Sequence, residues 1–545
     1  MIEVACHANA GSKAARDFLE TFGGLDGGRT PHATPASEPS SVRKASDGAS
    51  PPVLRARPTP LSIPSASANG VASLVSARLG GDAEAPARLP RSLESAASTE
   101  MADALALAMA QRRLPNVVAE LRRGIDGGLC TGAQLSVYLR GEGLLHLWEG
   151  EVRPGVPMRR DMLCNWMSTT KPVAVVAIAQ LWERRLIDLG EPVATYIPEF
   201  GCNGKDQILI EHLLTHTAGI PYADVKMWPS LHKWDKVLAA ISYSNIEPEW
   251  APGKRAGYHA YSAWFVLGEL VQRLDGRPFA QYVREEIFVP LGMVDCHVGM
   301  SDELFEAYKA EGRLAELRTL AAGGVPLNGK LEGVTDKEVT ACVPGSNGRG
   351  PAEQWLSLFQ MLLDEGLGPG GTRLLQPATV RGLSRRYRVG MYDEVQGVVC
   401  DWSLGLSVAS TLSGAHASPD TFGHGGSQSS VGFCDPEHKL AVVIVTNARP
   451  GPKLHYERMH RLSTLLYEDL GLVPDRDAKA ATDPHHLFTR QPSFSERKLL
   501  RDSAANAQKE GAASTTTTSA VTWRKTPPRE RPAATTLVHT DKDPT

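Results

Sequence analysis

Apolar and polar residues alternate or recur with regular periods along the middle of the chain. Across residues 102–124 the apolar side chains recur at helical spacing, which predicts a helix there. Residues 133–139 and 144–148 are two strand-like stretches separated by Gly141-Glu-Gly143. A glycine-rich turn between two such stretches indicates a β-hairpin.

A longer apolar stretch from Pro172 to Leu181 follows the hairpin. Because it is apolar nearly all round, it predicts a buried helix over residues 169–184. Further helical patterns cover residues 208–214, 259–274 and 352–364, and strand patterns cover residues 431–434 and 440–446. Strands therefore lie at both ends of this region and helices lie between them. That order predicts an α/β fold of the α+β type, in which helices flank an antiparallel sheet and a mostly helical subdomain is inserted.

Composition distinguishes three segments within the 545 residues. Residues 29–99 are dominated by Ser, Pro, Ala, Arg and Gly, and residues 475–545 are polar with a run of threonines. Neither segment has the apolar periodicity that offsets the entropy of ordering, so we expect both to be disordered. Residues 100–474 are long enough to form one domain with a large core or a core and a subdomain.

Charge and cysteine content exclude several classes of protein. A formal net charge of −3 gives no basic surface of the kind that nucleic acids need. The eight cysteines are scattered without metal-type spacing, which favours free thiols in a reducing compartment and no metal or other cofactor. No apolar stretch reaches the length of a membrane span, and no secretory signal is visible. We therefore expect a cytoplasmic or organellar location and a small-molecule substrate, with the oligomeric state open.

One Ser-x-x-Lys sequence stands in a context that favours catalysis. The pattern occurs at Ser41–Lys44, Ser168–Lys171, Ser230–Lys233 and Ser495–Lys498. Only the second precedes a long apolar helix. Residues three apart share a helix face, so the Lys171 amine can lie beside the Ser168 hydroxyl and help to remove its proton. The alternative is an ordinary N-cap serine followed by a solvated lysine.

Two other segments supply groups that an activated serine requires. Tyr258 lies between a glycine-containing loop and a predicted buried helix, and beside a lysine ammonium its phenol is expected to ionise well below its usual pKa of about 10. His424-Gly425-Gly426-Ser427 precedes a predicted strand, and its glycines allow a substrate to approach the backbone. The amides of Ser427 and Ser168 are candidates for an oxyanion hole. The alternatives are a packing tyrosine and a simple turn into a strand.

Together these motifs give the chain a family resemblance. In chain order they are Met167-Ser-Thr-Thr-Lys-Pro172, His212-Leu-Leu-Thr-His-Thr-Ala-Gly-Ile-Pro221, Tyr258-His-Ala260, Pro290-Leu-Gly-Met293 and His424-Gly-Gly426. The chain resembles the serine β-lactamase-related superfamily, which comprises class C β-lactamases, D-Ala-D-Ala peptidases, D-aminopeptidases, and esterases and acyltransferases of that fold. The ordered set spans about residues 117–470.

The resemblance implies a mechanism. Lys171 and Tyr258 would deprotonate Ser168, and an acyl-serine would form and be released by water or an acceptor alcohol.

The family's β-lactamases usually carry Asn where this chain has Ala260, and a lysine is common where it has His424. Both departures favour esters over β-lactams or peptides, since each removes a group that holds an amide or a carboxylate. Loops such as 222–249 and 301–343 are expected to shape the pocket.

Two alternatives stay open beside the esterase interpretation. One is a β-lactamase or D-amino-acid peptidase of the same fold. The other is a non-catalytic scaffold or assembly protein that retains the fold, since fold does not imply function.

Within residues 1–28, the segment Asn9–Phe18 is similar to the middle of a cytochrome b5-like domain. The haem-ligand motif of that domain would precede Met1, so we expect no haem there, and either a truncated remnant or a chance helix.

Overall fold

The computed structural model describes residues 93–223, 230–320, 326–332 and 336–473. The helices are α1 (Leu93–Arg113), α2 (Pro115–Asp126), α3 (Lys171–Glu183), α4 (Ile210–Leu214), α5 (Trp234–Tyr243), α6 (Ser262–Asp275), α7 (Phe279–Val283), α8 (Asp302–Ala310), α9 (Asp336–Thr340), α10 (Ala352–Leu363), α11 (Pro377–Ser384) and α12 (Pro452–Asp469). The strands are β1 (Gly132–Leu139), β2 (Gly143–Arg153), β3 (Val156–Pro157), β4 (Cys164–Met167), β5 (His297–Val298), β6 (Leu317–Leu320), β7 (Pro326–Glu332), β8 (Gly348–Gly350), β9 (Tyr392–Asp393), β10 (Val398–Val399), β11 (Asp401–Trp402), β12 (Ser407–Val408), β13 (Phe422–Gly426), β14 (Ser430–Asp435), β15 (Leu440–Thr446) and β16 (Ala448–Arg449).

An eight-stranded sheet in the order β11-β12-β13-β14-β15-β1-β2-β3 organises the fold, and its paired strands are antiparallel. The first and last parts of the domain meet at its centre, where β1 pairs with β15 and Val137 lies opposite Val442. Successive side chains of a strand point to opposite faces. Val442 therefore packs in the core on one face of the sheet, and Val443 packs in the larger core on the other.

Helices cover both faces of this sheet. Phe359 of α10 joins the larger core, together with the buried helix α3 and the helical region that follows it. On the opposite face, Leu121 of α2 and Leu462 of α12 pack with the smaller core. Two small three-stranded sheets, β4-β8-β5 and β16-β6-β7, lie outside the main sheet. The predicted α+β architecture with a mostly helical subdomain is confirmed.

Most predicted elements are present, with shifted ends. The helix predicted over 102–124 is two helices, because Pro115 cannot continue α1 and instead occupies the first turn of α2. The helix predicted from residue 259 begins only at Ser262, since the preceding residues belong to the loop that carries Tyr258. The stretches expected to be loops, 222–249 and 301–343, contain α5 in the first and α8, β6, β7 and α9 in the second.

Some predictions fall where the structure gives no description. The b5-like segment 1–28 and the segment 475–545 lie outside the described residues. So does 29–92 of the segment expected to be disordered, whereas α1 already begins at Leu93. Across the described parts of the chain, every helix is too short or too polar to traverse a lipid bilayer.

Candidate active site

Ser168 lies at a sharp turn between β4 and the buried helix α3. Met167 ends β4 with φ 51° and ψ −137°, a strained conformation for a residue other than glycine, and Ser168 then begins a single 3₁₀ turn that leads into α3. The Thr170 hydroxyl donates to the Met167 carbonyl at 2.6 Å and accepts from the Gly348 amide at 2.7 Å. These bonds hold the turn, so the serine has a fixed position.

The Lys171 amine is fully buried and lies against the Ser168 hydroxyl. Its Nζ donates to Ser168 Oγ at 3.1 Å, to the Ala260 carbonyl at 3.0 Å and to the Gly345 carbonyl at 2.7 Å. These acceptors match the three N–H groups of an ammonium. The lysine is therefore fixed by the chain around it, which argues against the alternative of a solvated side chain.

Tyr258 reaches the same serine from the other side. Its phenol interacts with the Ser168 side chain, and Lys171 Nζ lies 5.0 Å from the centre of its ring. Burial raises the pKa of the phenol, and the bond to Ser168 only partly offsets that rise. The expectation of a lowered pKa is therefore wrong, because burial of the phenol dominates. The resting side chain is a neutral phenol.

Two histidines that sequence reasoning did not assign line the back of Tyr258. The His216 ring centre is 4.7 Å from that of Tyr258, and His216 Nδ1 accepts from the His259 amide at 3.0 Å. Burial holds the pKa of His216 well below its usual value and lowers that of His259 to about 3. Both are neutral near pH 7 and pack behind the tyrosine. Only the position of His216 within the His212–Pro221 motif pointed to it.

His424 closes the cleft as a neutral group. Its ring centre lies 6.1 Å from that of Tyr258, and its Nδ1 donates to the Gly425 carbonyl at 2.6 Å. Burial, with the nearby Lys171 charge, lowers the pKa of His424 to about 3. A histidine usually titrates near pH 6.5, so this side chain stays neutral over a wider pH range than an ordinary histidine.

Gly425 and Gly426 belong to β13, and this strand packs against the turn that carries Ser168. A methyl group at Gly426 would clash with the Trp166 carbonyl and with the hydroxyls of Thr169 and Ser430. Thr169 Oγ1 also donates to the His424 carbonyl at 3.3 Å. Ser427 follows directly after β13 and is joined to Gly426, which lies against the nucleophile turn. The site thus unites Ser168, Lys171, Tyr258 and residues 424–427.

A serine that contacts both a buried lysine and a tyrosine, beside an antiparallel sheet, defines the class of serine β-lactamase-related proteins that the sequence resembles. A family model described as "Beta-lactamase" matches residues 117–466. Since that match covers more than half of the chain, the protein belongs to this family. The predicted family is confirmed.

Three relatives refine the comparison. "Esterase/beta-lactamase LipL" of Mycobacterium tuberculosis is 27% identical over 372 residues, covering 63% of this chain and 83% of the relative. "Esterase EstB" of Burkholderia gladioli is 28% identical over 365 residues, covering 62% and 88%. A crystal structure of a family VIII carboxylesterase aligns with a TM-score of 0.55 at 29% identity, over 66% of this chain and 98% of that one. These similarities confirm the fold and support the predicted serine hydrolase over the scaffold alternative.

Proposed function

We propose that this protein is a carboxylesterase that works through an acyl-serine intermediate on Ser168. The observation that carries the proposal is the convergence of Lys171 and Tyr258 on one hydroxyl, with Nζ 3.1 Å from Ser168 Oγ. Neither contact is needed for an N-cap serine. The esterase names of LipL and EstB support the same activity.

The chemical steps follow from the contacts. Ser168 gives its proton to the Lys171–Tyr258 pair when that pair is one proton short, and Oγ attacks the ester carbonyl carbon. The amides of Ser168 and Ser427 hold the negative oxygen of the tetrahedral intermediate. The pair then returns the proton to the departing alkoxide, which leaves an acyl-Ser168. Water, or an acceptor alcohol, attacks this acyl group and releases it by the reverse transfers.

The charge distribution of the cleft favours a neutral ester. His424 is neutral near pH 7, so the strand beside the nucleophile carries no fixed cation to hold a substrate carboxylate. Ala260 has no side-chain amide to hold a peptide or β-lactam amide. Its carbonyl serves instead as an acceptor for Lys171.

A hydrolysis panel tests this assignment. Full-length protein and its Ser168→Ala variant are assayed with p-nitrophenyl acetate and butyrate, a chromogenic cephalosporin and D-amino-acid amides. We expect kcat/KM to be highest for an ester and to vanish in the variant. Cephalosporin turnover well above ester turnover would identify a β-lactamase, and preferred turnover of the amides would identify a peptidase. Folded protein that turns over none of them would favour the scaffold.

We further propose that residues 100–474 form the catalytic domain and that it acts in a reducing compartment of the cytoplasm or an organelle. All seven cysteines within the described part of the chain are free, which supports such a location. Partners other than a small ester are not needed for the chemistry.

A further inference from the structure

A buried ion pair lies behind the loop that presents Tyr258. Arg388 and Asp393 are 1% and 0% exposed, and Arg388 Nη1 is 3.1 Å from Asp393 Oδ2. The two residues are far from Tyr258 in sequence, and no motif marked them. A buried charge pair usually gives little net stability, so stability alone does not account for this one.

The carboxylate is bound directly to the backbone of the candidate catalytic tyrosine. Asp393 Oδ1 accepts from the Tyr258 amide at 3.0 Å. The same oxygen accepts from the amides of Val395 and Gln396 at 3.1 and 2.9 Å. A short parallel bridge between Ala256 and Asp393 joins the two segments just before the tyrosine. Asp393 therefore fixes where the Tyr258 backbone lies.

Arg388 fixes the carboxylate in turn. Its Nη1 donates to the Thr215 carbonyl at 3.2 Å, next to His216, and its Nη2 donates to the Cys400 carbonyl at 3.3 Å. Its guanidinium also lies 5.4 Å from the ring centre of Trp402. The pair thus connects three separate segments that surround the tyrosine.

We propose that Asp393, held by Arg388, is a positioning residue for Tyr258: it fixes the backbone that places the phenol on the Ser168 hydroxyl. This inference rests on the proposed function, because it concerns the same reaction. Asp393 touches neither substrate nor Ser168, so its action passes through Tyr258.

Several charged or titratable groups face Tyr258. They are Lys171, His216, Tyr261, Asp393, His424 and Tyr456. Burial is the main cause of the raised pKa of the phenol, and the Asp393 carboxylate adds to it. Removing only this negative charge leaves the backbone of Tyr258 held, whereas removing the whole side chain releases it.

Two substitutions separate these effects. Asp393→Asn keeps an oxygen for the three amides and removes the charge, so we expect kcat and KM for p-nitrophenyl butyrate within about three-fold of wild type. Asp393→Ala removes the oxygen as well, and we expect kcat to fall by at least about ten-fold with KM nearly unchanged, because the phenol is misplaced. Asp435→Asn is the matched control: Asp435 is also fully buried and accepts a backbone amide, from Ser418 at 2.9 Å, but it does not contact Tyr258.

A measurement without turnover separates this inference from the proposed function. The ¹³Cζ resonance of Tyr258 in the folded protein near pH 7, assigned through Tyr258→Phe, reports the surroundings of the phenol. The inference predicts a displaced resonance in Asp393→Ala, because the Tyr258 amide loses its acceptor, and no change in Asp435→Asn. An unchanged Tyr258 resonance in folded Asp393→Ala would overturn it, whether or not the wild type hydrolyses esters. An Asp393→Ala variant that folds and keeps the wild-type kcat would overturn it as well.

Discussion

At the scale of single residues, the proposed mechanism depends on Lys171, which is fully buried and donates to the Ser168 hydroxyl. The chain contains a second fully buried lysine, Lys205, whose Nζ donates to the Cys202 carbonyl at 2.9 Å and also bonds to the Ser244 carbonyl. Both lysines satisfy carbonyl groups, but only Lys171 also contacts a serine hydroxyl. Comparing variants of these two lysines therefore separates effects on stability from effects on catalysis.

We predict that Lys171→Met lowers ester kcat/KM by about 10²–10⁴-fold, as loss of a proton-transfer group does. Lys205→Met should retain wild-type activity. Both variants leave buried carbonyls without a donor, so each should be destabilised by about 1–3 kcal/mol. Steady-state kinetics and thermal melting of the two proteins measure these effects. Equal losses of activity in both would show that Lys171 acts only through stability.

Residue by residue, the sequence was informative where the chemistry is local. Ser168 and Lys171 are three residues apart and precede an apolar helix, so their contact was predictable. The pKa direction of Tyr258 was not, because burial depends on the packing of several segments around the ring. Asp393 and Arg388 could not be found either, since more than a hundred residues separate them from Tyr258 and no spacing pattern links them.

At the scale of elements, the approach of β13 to the nucleophile turn depends on the absence of a side chain at Gly426. A Cβ there would meet the Trp166 carbonyl, a backbone atom that cannot move aside without displacing β4. At the neighbouring Gly425, the nearest atom to an added Cβ is Leu412 Cδ1, the end of a flexible side chain. An added methyl group should therefore be tolerated better at Gly425 than at Gly426.

We predict that Gly426→Ala lowers the melting temperature and reduces ester kcat/KM by at least about ten-fold, because a displaced strand disturbs a site that requires accurate geometry. Gly425→Ala should cost less in both measurements. Melting curves and kinetics of the two variants provide the comparison. A Gly426→Ala protein that is as active and stable as Gly425→Ala would contradict the packing described for β13.

The elements themselves were largely predictable from hydrophobic periodicity. The hairpin of β1 and β2, the buried helix α3 and the strands β14 and β15 were found from their patterns. Short elements such as α5 and β6 were taken for loops, because stretches of this length carry too little periodicity. The pairing of β1 with β15 joins residues some three hundred positions apart, and only the antiparallel class of the sheet could be predicted.

At the scale of the whole molecule, buried neutral histidines make stability depend on pH. Burial lowers the pKa of His259 and His424 to about 3 and that of His297 to about 4. In an unfolded chain a histidine titrates near 6.5, so below that pH the unfolded state binds more protons. The stabilisation that comes from keeping these rings neutral is fully present above pH 6.5. It is lost as the pH falls towards 3–4.

We therefore predict that the melting temperature falls steadily as the pH is lowered from 6.5 to 4. His297 lies away from the active site and bonds to Tyr308 at 3.2 Å, so it can be replaced without touching the chemistry. The His297→Gln variant should lose less stability than the wild type over this pH range. Melting curves recorded in matched buffers test the difference. A variant with the same pH dependence as the wild type would exclude this contribution of His297.

The boundaries of the proposed catalytic domain can be tested by truncation. Asp469 of α12 accepts from the amides of Asn116 and Val117 at 3.0 Å, and Leu121 of α2 is buried in the smaller core. We expect a chain of residues 93–473 to keep the wild-type kcat and KM, whereas one that begins at residue 127 should unfold or aggregate. Kinetics and size-exclusion chromatography of the two fragments test this. A folded fragment 93–473 without activity would place an essential part of the enzyme outside it.

The most direct test of the account is covalent labelling of full-length protein with a fluorophosphonate, read by intact mass and peptide mapping. The account predicts one adduct, on Ser168, that disappears in Ser168→Ala and persists in Ser230→Ala, a serine of another Ser-x-x-Lys sequence. Labelling that survives in Ser168→Ala, or folded wild-type protein that takes up no probe, would contradict it.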